Sequence, residues 1–218
     1  MSAGIGSAAS EERRLRTLHS YAVLDTPPEP AFDDLTELAA ELCAAPTALI
    51  SLVDSDRQWF KSRRGIDAQE TPRGESFCVH ALASHEVLVI PDASRDPRVA
   101  DYLCVREEPH YRFYAGAPLI AADGAVLGTL CVVDTKPRNL EATQRRHLAV
   151  LAAQVIAQLE IRRQAAALAA VVREMSETKR MLDGVLRHTD VLIYAKDLAG
   201  RYAMVNPRSC RRHASPRT

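Results

Sequence analysis

Apolar residues recur at helical steps early in the chain and then gather into uninterrupted runs. The spacing of Phe32, Leu35 and Leu42 predicts an amphipathic helix over residues 31–44. The run 47–53 (TALISLV) is rich in β-branched residues and almost wholly apolar, which is typical of a buried strand. An Asp-Ser-Asp turn follows this run, so the pattern predicts a hairpin with a second strand at 58–62.

A second hairpin is predicted near the middle of the chain. Residues 113–121 and 125–133 are apolar runs, and the Asp-Gly pair between them is a turn signal. Shorter segments predict helices at 11–19 and 75–84 and a strand at 86–90. Hairpins in place of a regular strand-helix-strand order indicate an α+β fold, with an antiparallel sheet flanked by helices.

The C-terminal third predicts one long helix. Asn139 is a good N-cap, and no proline interrupts the chain between it and Pro207. Steps of four and three give a seam in which only Lys179 is polar; its apolar members are Ile161, Ala165, Leu168, Val172, Met175, Leu182 and Leu186. This heptad spacing predicts a coiled-coil homodimer. The alternative is a single amphipathic helix packed on its own domain.

Composition and charge narrow the function classes. The 218 residues are 47% hydrophobic and 26% charged, which excludes a wholly disordered chain. Basic and acidic residues both number 28, so we expect no general attraction to nucleic acid or to a membrane. The five cysteines form no CxxC pair, and no long apolar segment or signal peptide occurs, so a reduced cytoplasmic protein is expected.

Polar residues between positions 57 and 114 are the candidates for a site. Cys78 and His80 are two residues apart and would lie on different faces of a helix, which disfavours a thiolate-imidazole pair. Neither the cysteines nor the histidines have the spacing of metal ligands. The glycines form no phosphate-binding loop. The residues therefore indicate neither a catalytic site nor a metal site.

Ordered sequence blocks carry a family resemblance. They are 51–54 (SLVD), 57–61 (RQWFK), 71–73 (TPR), 76–80 (SFCVH), 91–92 (PD), 96–98 (DPR), 112–119 (RFYAGAPL), 128–134 (GTLCVVD) and 137–138 (PR). Together they resemble the bacterial GAF domains found in front of histidine kinases and diguanylate cyclases. Residues 194–202 (YAKDLAGRY) look like the opening strands of a PAS domain.

The resemblance implies a domain plan and a pocket. It implies a GAF-like domain at 15–161 and a truncated PAS-like segment at 188–218. Composition adds a flexible leader at 1–14 and a disordered basic tail at the end of the PAS-like segment, and the heptad spacing adds a coiled-coil signalling helix at 162–187. The resemblance further implies a five- or six-stranded antiparallel sheet. The pocket residues carried over from the family are Trp59, Cys78, His80, Asp92, Arg112 and Tyr114. The resemblance names neither a ligand nor a cofactor.

The function expected from the resemblance is that of a non-enzymatic sensory module. A small molecule or a partner in the pocket would act through the dimeric helix on a histidine kinase or diguanylate cyclase output protein. One alternative is a free methionine sulfoxide reductase that uses Cys78 and Cys104. A third hypothesis is a covalent chromophore carrier, which needs an exposed thiol beside the pocket.

Overall fold

Two central hairpins organise the fold. A computed structural model of the chain describes residues 8–188, 191 and 193–206. Its six-stranded antiparallel sheet has the order β3-β2-β1-β6-β5-β4. The strands are β1 (Thr47–Val53), β2 (Arg57–Arg64), β3 (Glu70–Pro72), β4 (Leu88–Ile90), β5 (Phe113–Ile120) and β6 (Val126–Asp134). The predicted α+β class, both hairpins and the antiparallel sheet are confirmed.

The two faces of this sheet have different neighbours. Ile50 of β1 lies opposite Leu130 of β6, and both are fully buried in the core formed with the helices. The next pair, Leu49 and Cys131, belongs to a second cluster on the other face. Side chains alternate in this way because successive residues of a strand point to opposite sides.

Helix α1 (Ala8–Ser20) begins earlier than the sequence predicts. Residues 8–14 are helical, which corrects the predicted flexible leader over these positions, and its residues 1–7 lie outside the described residues. Arg14 is buried and donates a 2.7 Å hydrogen bond to the carbonyl oxygen of Val53. It also donates to the Glu11 carboxylate at 2.8 Å. These contacts fix the helix on the domain, and sequence composition gives no sign of them.

Helices α2 (Pro30–Leu42) and α4 (Ala142–His188) cover the same face of the sheet as α1. The buried residues of α4 are Leu148, Leu151, Ala152, Val155 and Leu159. From Arg163 to Asp183 every residue of α4 is exposed. The predicted long helix is therefore confirmed, whereas the predicted dimer seam is an exposed apolar stripe and the dimer stays a prediction. No described helix is long and apolar enough to span a membrane.

Loops and short helices cover the other face. The predicted helix at 75–84 is replaced by two 3₁₀ turns, Arg73–Glu75 and Phe77–Ala81. A further 3₁₀ turn (Ala93–Arg95) and the one-turn helix α3 (Leu103–Arg106) complete this layer. Short turns of this kind leave gaps that a long helix would fill, and the site lies in one such gap.

The residues after Arg163 form a separate compact unit. It contains the end of α4 and a hairpin of β7 (Tyr194–Lys196) and β8 (Tyr202–Val205), with Gly200 at a positive φ of 79° in the turn. The buried Asn206 side chain accepts from the Ile193 amide and donates to the Leu186 carbonyl oxygen. The predicted strand-turn-strand fragment is present. The predicted disordered basic tail at 207–218 lies outside the described residues.

Candidate functional site

A cavity of about 380 Å³ separates the sheet from the loop layer. Its sheet side comes from β1, β2, β3, β5 and β6, and its outer side comes from the loops and short helices. The lining residues are Leu49, Gln58, Phe60, Gly65, Ile66, Thr71, Glu75, Phe77, Cys78, Cys104, Pro109, Tyr111, Tyr114, Cys131 and Val133. Most of them are apolar, and the volume is within the range of roughly 300 to 1,000 Å³ that small-molecule sites occupy.

Aromatic rings form one wall of the cavity. Phe77 stacks on Tyr114 with ring centroids 5.3 Å apart and an interplanar angle of 14°. Gly116 makes room for the Tyr114 ring, since a Cβ at this glycine would lie 2.1 Å from the phenolic oxygen. The fully buried Tyr114 hydroxyl lies 3.3 Å from Thr129 Oγ1. Burial raises the pKa of Tyr114, so its hydroxyl stays protonated and neutral.

A polar group is held in place beside this wall. The side-chain oxygen of Gln58 accepts hydrogen bonds from the Ser51 and Ser76 hydroxyls. Both contacts use the oxygen, and neither uses the amide nitrogen of Gln58. Among the described residues, Thr71 Oγ1 is buried without a hydrogen-bond partner. Unsatisfied polar groups of this kind are rare in protein interiors and favour the binding of a polar ligand atom or water.

Two thiols meet at the base of the cavity. The sulfur atoms of Cys78 and Cys131 are 3.9 Å apart, and Thr129 Oγ1 donates to Cys78 Sγ at 3.1 Å. Hydrogen bonding from Cys131 lowers the pKa of Cys78 against the opposing effect of burial, and Thr129 adds to this. The same contact raises the pKa of Cys131. Burial raises the pKa of the third lining thiol, Cys104, to about 11.

The cavity lining carries a single charged side chain. Glu75 contributes a carboxylate, and none of the lining residues is a lysine, arginine or histidine. The arginines nearby in sequence bind other groups. Arg73 pairs with Glu11 at 2.7 Å, and Arg57 pairs with Asp25 and Glu70. The formal charge of the described lining residues is therefore negative.

The structure brings only two of the six predicted pocket residues into the cavity, namely Cys78 and Tyr114. Trp59 is buried in the core on the opposite face of the sheet. The ring of His80 contacts the Tyr102 hydroxyl at 2.9 Å, and burial lowers the pKa of this histidine. Cys78 and His80 therefore contact different groups.

The remaining two predicted residues order loops. Asp92 accepts from the Ser94 amide at 3.1 Å and caps the 3₁₀ turn that follows it. Arg112 donates to the carbonyl oxygens of Val105 and Tyr111. Each side chain satisfies the backbone of its own loop and is absent from the cavity lining.

Sequence reasoning missed Gln58 and Glu75 as lining residues. A signal for Gln58 was available, because strand alternation places it with Phe60 on the face opposite Trp59. Glu75 lies in a turn between irregular segments, where no periodicity indicates the direction of a side chain. Ile66, Pro109 and Tyr111 also come from loops and could be assigned to the cavity only from the tertiary structure.

Comparisons with known proteins agree on the fold. The GAF domain family model matches residues 27–159. The chain is 41% identical over 129 residues to the cyclic di-GMP phosphodiesterase PA2567 of Pseudomonas aeruginosa, a match that covers 59% of this chain and 22% of the relative. The chain thus spans about a fifth of the length of that relative.

Solved structures show the same architecture at low identity. A free methionine-R-sulfoxide reductase from Neisseria meningitidis matches with a TM-score of 0.52 and 20% identity, covering 76% of this chain and 98% of that one. A GAF domain of a phosphoenolpyruvate-protein phosphotransferase from Coxiella burnetii matches with a TM-score of 0.52 and 19% identity, covering 74% and 99%. Such matches establish the fold alone.

The comparison with PA2567 corrects the prediction that the protein is not an enzyme. That relative is named as a phosphodiesterase. The prediction was wrong because it rested on the lack of a catalytic motif, and a GAF fold does not determine whether a protein has catalytic activity. A relationship to a phosphodiesterase also differs from the expected kinase or cyclase type. The family match ends at residue 159, so the PAS-like resemblance stays a prediction.

Proposed function

Because the chain belongs to the GAF domain family, we propose that it is the regulatory sensory module of a bacterial signalling protein. The observation that carries this proposal is the largely apolar cavity of about 380 Å³ beside the sheet. A small molecule there would contact β1, β2, β5, β6 and the loop layer at once. It would therefore affect the packing of the same sheet on which the first part of α4 lies.

The output we propose is a cyclic di-GMP phosphodiesterase. This part of the proposal is supported by the 41% identity to PA2567, of which the shared segment is only 22%. The rest of that relative is long enough to hold further domains. In this arrangement the GAF domain changes the activity of the phosphodiesterase output.

The relay we propose is α4. Its first part is buried on the domain, with Leu148, Val155 and Leu159 almost fully covered. Beyond Arg163 its apolar seam is exposed, and Leu168 and Met175 have two thirds of their surface free. A second copy of the chain would cover this seam as a coiled coil. A ligand shifts such a helix only if it binds two arrangements of the dimer with different affinities.

The experiment is native mass spectrometry of the 218-residue chain purified without added ligand. We expect a dimer at roughly tens of micromolar, carrying a defined additional mass from a bound small molecule. Leu168→Glu should give a monomer, because it places a charge in the seam. Ala170→Glu, on the opposite side of the same helix, should leave the dimer intact. A monomeric wild type, or a Leu168→Glu protein that stays dimeric, would contradict the proposed relay.

The reductase alternative receives no further support. Cys78 and Cys104 both line the cavity, but the thiol in contact with Cys78 is Cys131. Turnover of a sulfoxide substrate that is lost in Cys78→Ser would favour this alternative, and no turnover by the wild type would remove it.

A further inference from the structure

The charge of the cavity lining restricts the ligand. We propose that the cavity binds a small, flat, apolar molecule that is neutral or cationic, and that it excludes phosphate-bearing molecules such as cyclic di-GMP itself. This inference rests on the proposed sensory function and names its ligand class. The observation behind it is that Glu75 is the sole charged side chain among the described residues that line the cavity.

An anion would find no counter-charge inside. Burying a phosphate away from water is costly unless cationic or hydrogen-bonding groups replace its hydration. The nearby guanidinium of Arg73 already binds Glu11 and the Asp54 carbonyl oxygen. Arg112 donates through Nη1 to two backbone carbonyl oxygens and does not belong to the cavity lining. An anionic ligand would therefore lack a counter-charge in the cavity, and the Glu75 carboxylate would also repel it.

The shape and the free polar groups indicate what does fit. Phe77, Tyr111 and Tyr114 supply aromatic surface suited to a planar ring. The amide nitrogen of Gln58 can donate to an acceptor on the ligand, because its own oxygen is held by two serine hydroxyls. Glu75 can accept from an ammonium or another N–H donor, and a cation would also be attracted to the aromatic faces.

Three probes of one shape and different charge test this ligand class. Tryptamine is cationic at neutral pH, indole is neutral and indole-3-acetate is anionic. By isothermal titration calorimetry we expect tryptamine to bind at least about tenfold more tightly than indole-3-acetate, with indole between them. Glu75→Gln should bring tryptamine close to indole. Glu86→Gln, which removes an exposed carboxylate outside the lining, should leave the order unchanged.

A variant that fills the cavity distinguishes a wrong ligand class from a wrong sensory function. Cys104→Phe adds a ring at a half-buried lining position and should abolish binding of every probe, with folding checked by circular dichroism. If indole-3-acetate or cyclic di-GMP binds more tightly than tryptamine, and Cys104→Phe abolishes that binding, the ligand class is overturned and the sensory function is retained. If the probes bind Cys104→Phe as they bind the wild type, both the ligand class and the sensory function are overturned. The same holds if no probe binds the wild type and the native mass spectrum also shows no bound ligand.

Discussion

The two faces of the central sheet are built from the same strands and packed to different degrees. On the helix face, Ile50, Leu130 and Phe113 are fully buried among the side chains of α1, α2 and α4. On the other face, Leu49 and Cys131 border a cavity of about 380 Å³. One face is thus a continuous apolar core, whereas the other combines aromatic rings, thiols and hydroxyls around a cavity.

The difference follows from what covers each face. Helices present long apolar stripes that interlock with a sheet at the density of a protein interior. The 3₁₀ turns and loops on the other face present single side chains at irregular intervals, and they leave room between them. The helix face therefore supplies stability, whereas residues of the loop face can change to suit a ligand with a smaller loss in the free energy of unfolding.

The largest expected effect is on the sheet that the two faces share. Gly128 of β6 lies so close to β1 that an added Cβ would be 1.9 Å from the Ser51 carbonyl oxygen. Because backbone cannot move aside cheaply, Gly128→Ala should cost more than about 4 kcal/mol in the free energy of unfolding or abolish folding. Urea denaturation measures this. Gly74→Ala is the control, since nothing lies within 4 Å of its added Cβ.

The second prediction compares the faces directly through a matched pair of leucines. Leu130→Ala should cost about 3 to 5 kcal/mol, because the helix face closes tightly around the deleted atoms. Leu49→Ala, on the neighbouring strand, should cost only about 1 to 2 kcal/mol, because its side chain already borders an open cavity. Equal losses in urea denaturation would mean that the loop face is as tightly packed as the helix face.

The sequence predicted the strands and helices of the domain better than the loop layer and its cavity. The hairpins and the long helix follow from hydrophobic period and turn residues, which act over a few neighbouring positions. The cavity depends on where loops such as the one carrying Tyr111 return to the sheet, and local patterns do not encode such contacts. Family resemblance selected Asp92 and Arg112, whose role is to order loops, and passed over Gln58, which strand alternation could have placed.

The smallest expected effect concerns the ion cluster that joins α1 to the loop layer. The Glu11 carboxylate accepts from Arg14, a neighbour in α1 that also donates to the Val53 carbonyl oxygen. It accepts as well from Arg73, which begins the 3₁₀ turn beside the cavity. Hydrogen bonding from Arg14, with Arg73, lowers the pKa of Glu11 from 4.5 to about 2 in spite of burial. A carboxyl with a lower pKa when folded stabilises the folded state above the unfolded pKa and loses that contribution as the pH falls.

The domain should accordingly lose roughly 1 to 2 kcal/mol between pH 4.5 and pH 2 through this group, after allowance for solvent screening. In Glu11→Gln that part of the pH dependence of unfolding should disappear, whereas Glu12→Gln, at an exposed position of the same helix, should retain it. If the free energy of unfolding of Glu11→Gln falls with acid as it does in the wild type, the Glu11 ion cluster does not link the helix face to the loop face. If this acid dependence is lost, Glu11 is an electrostatic link between the two faces.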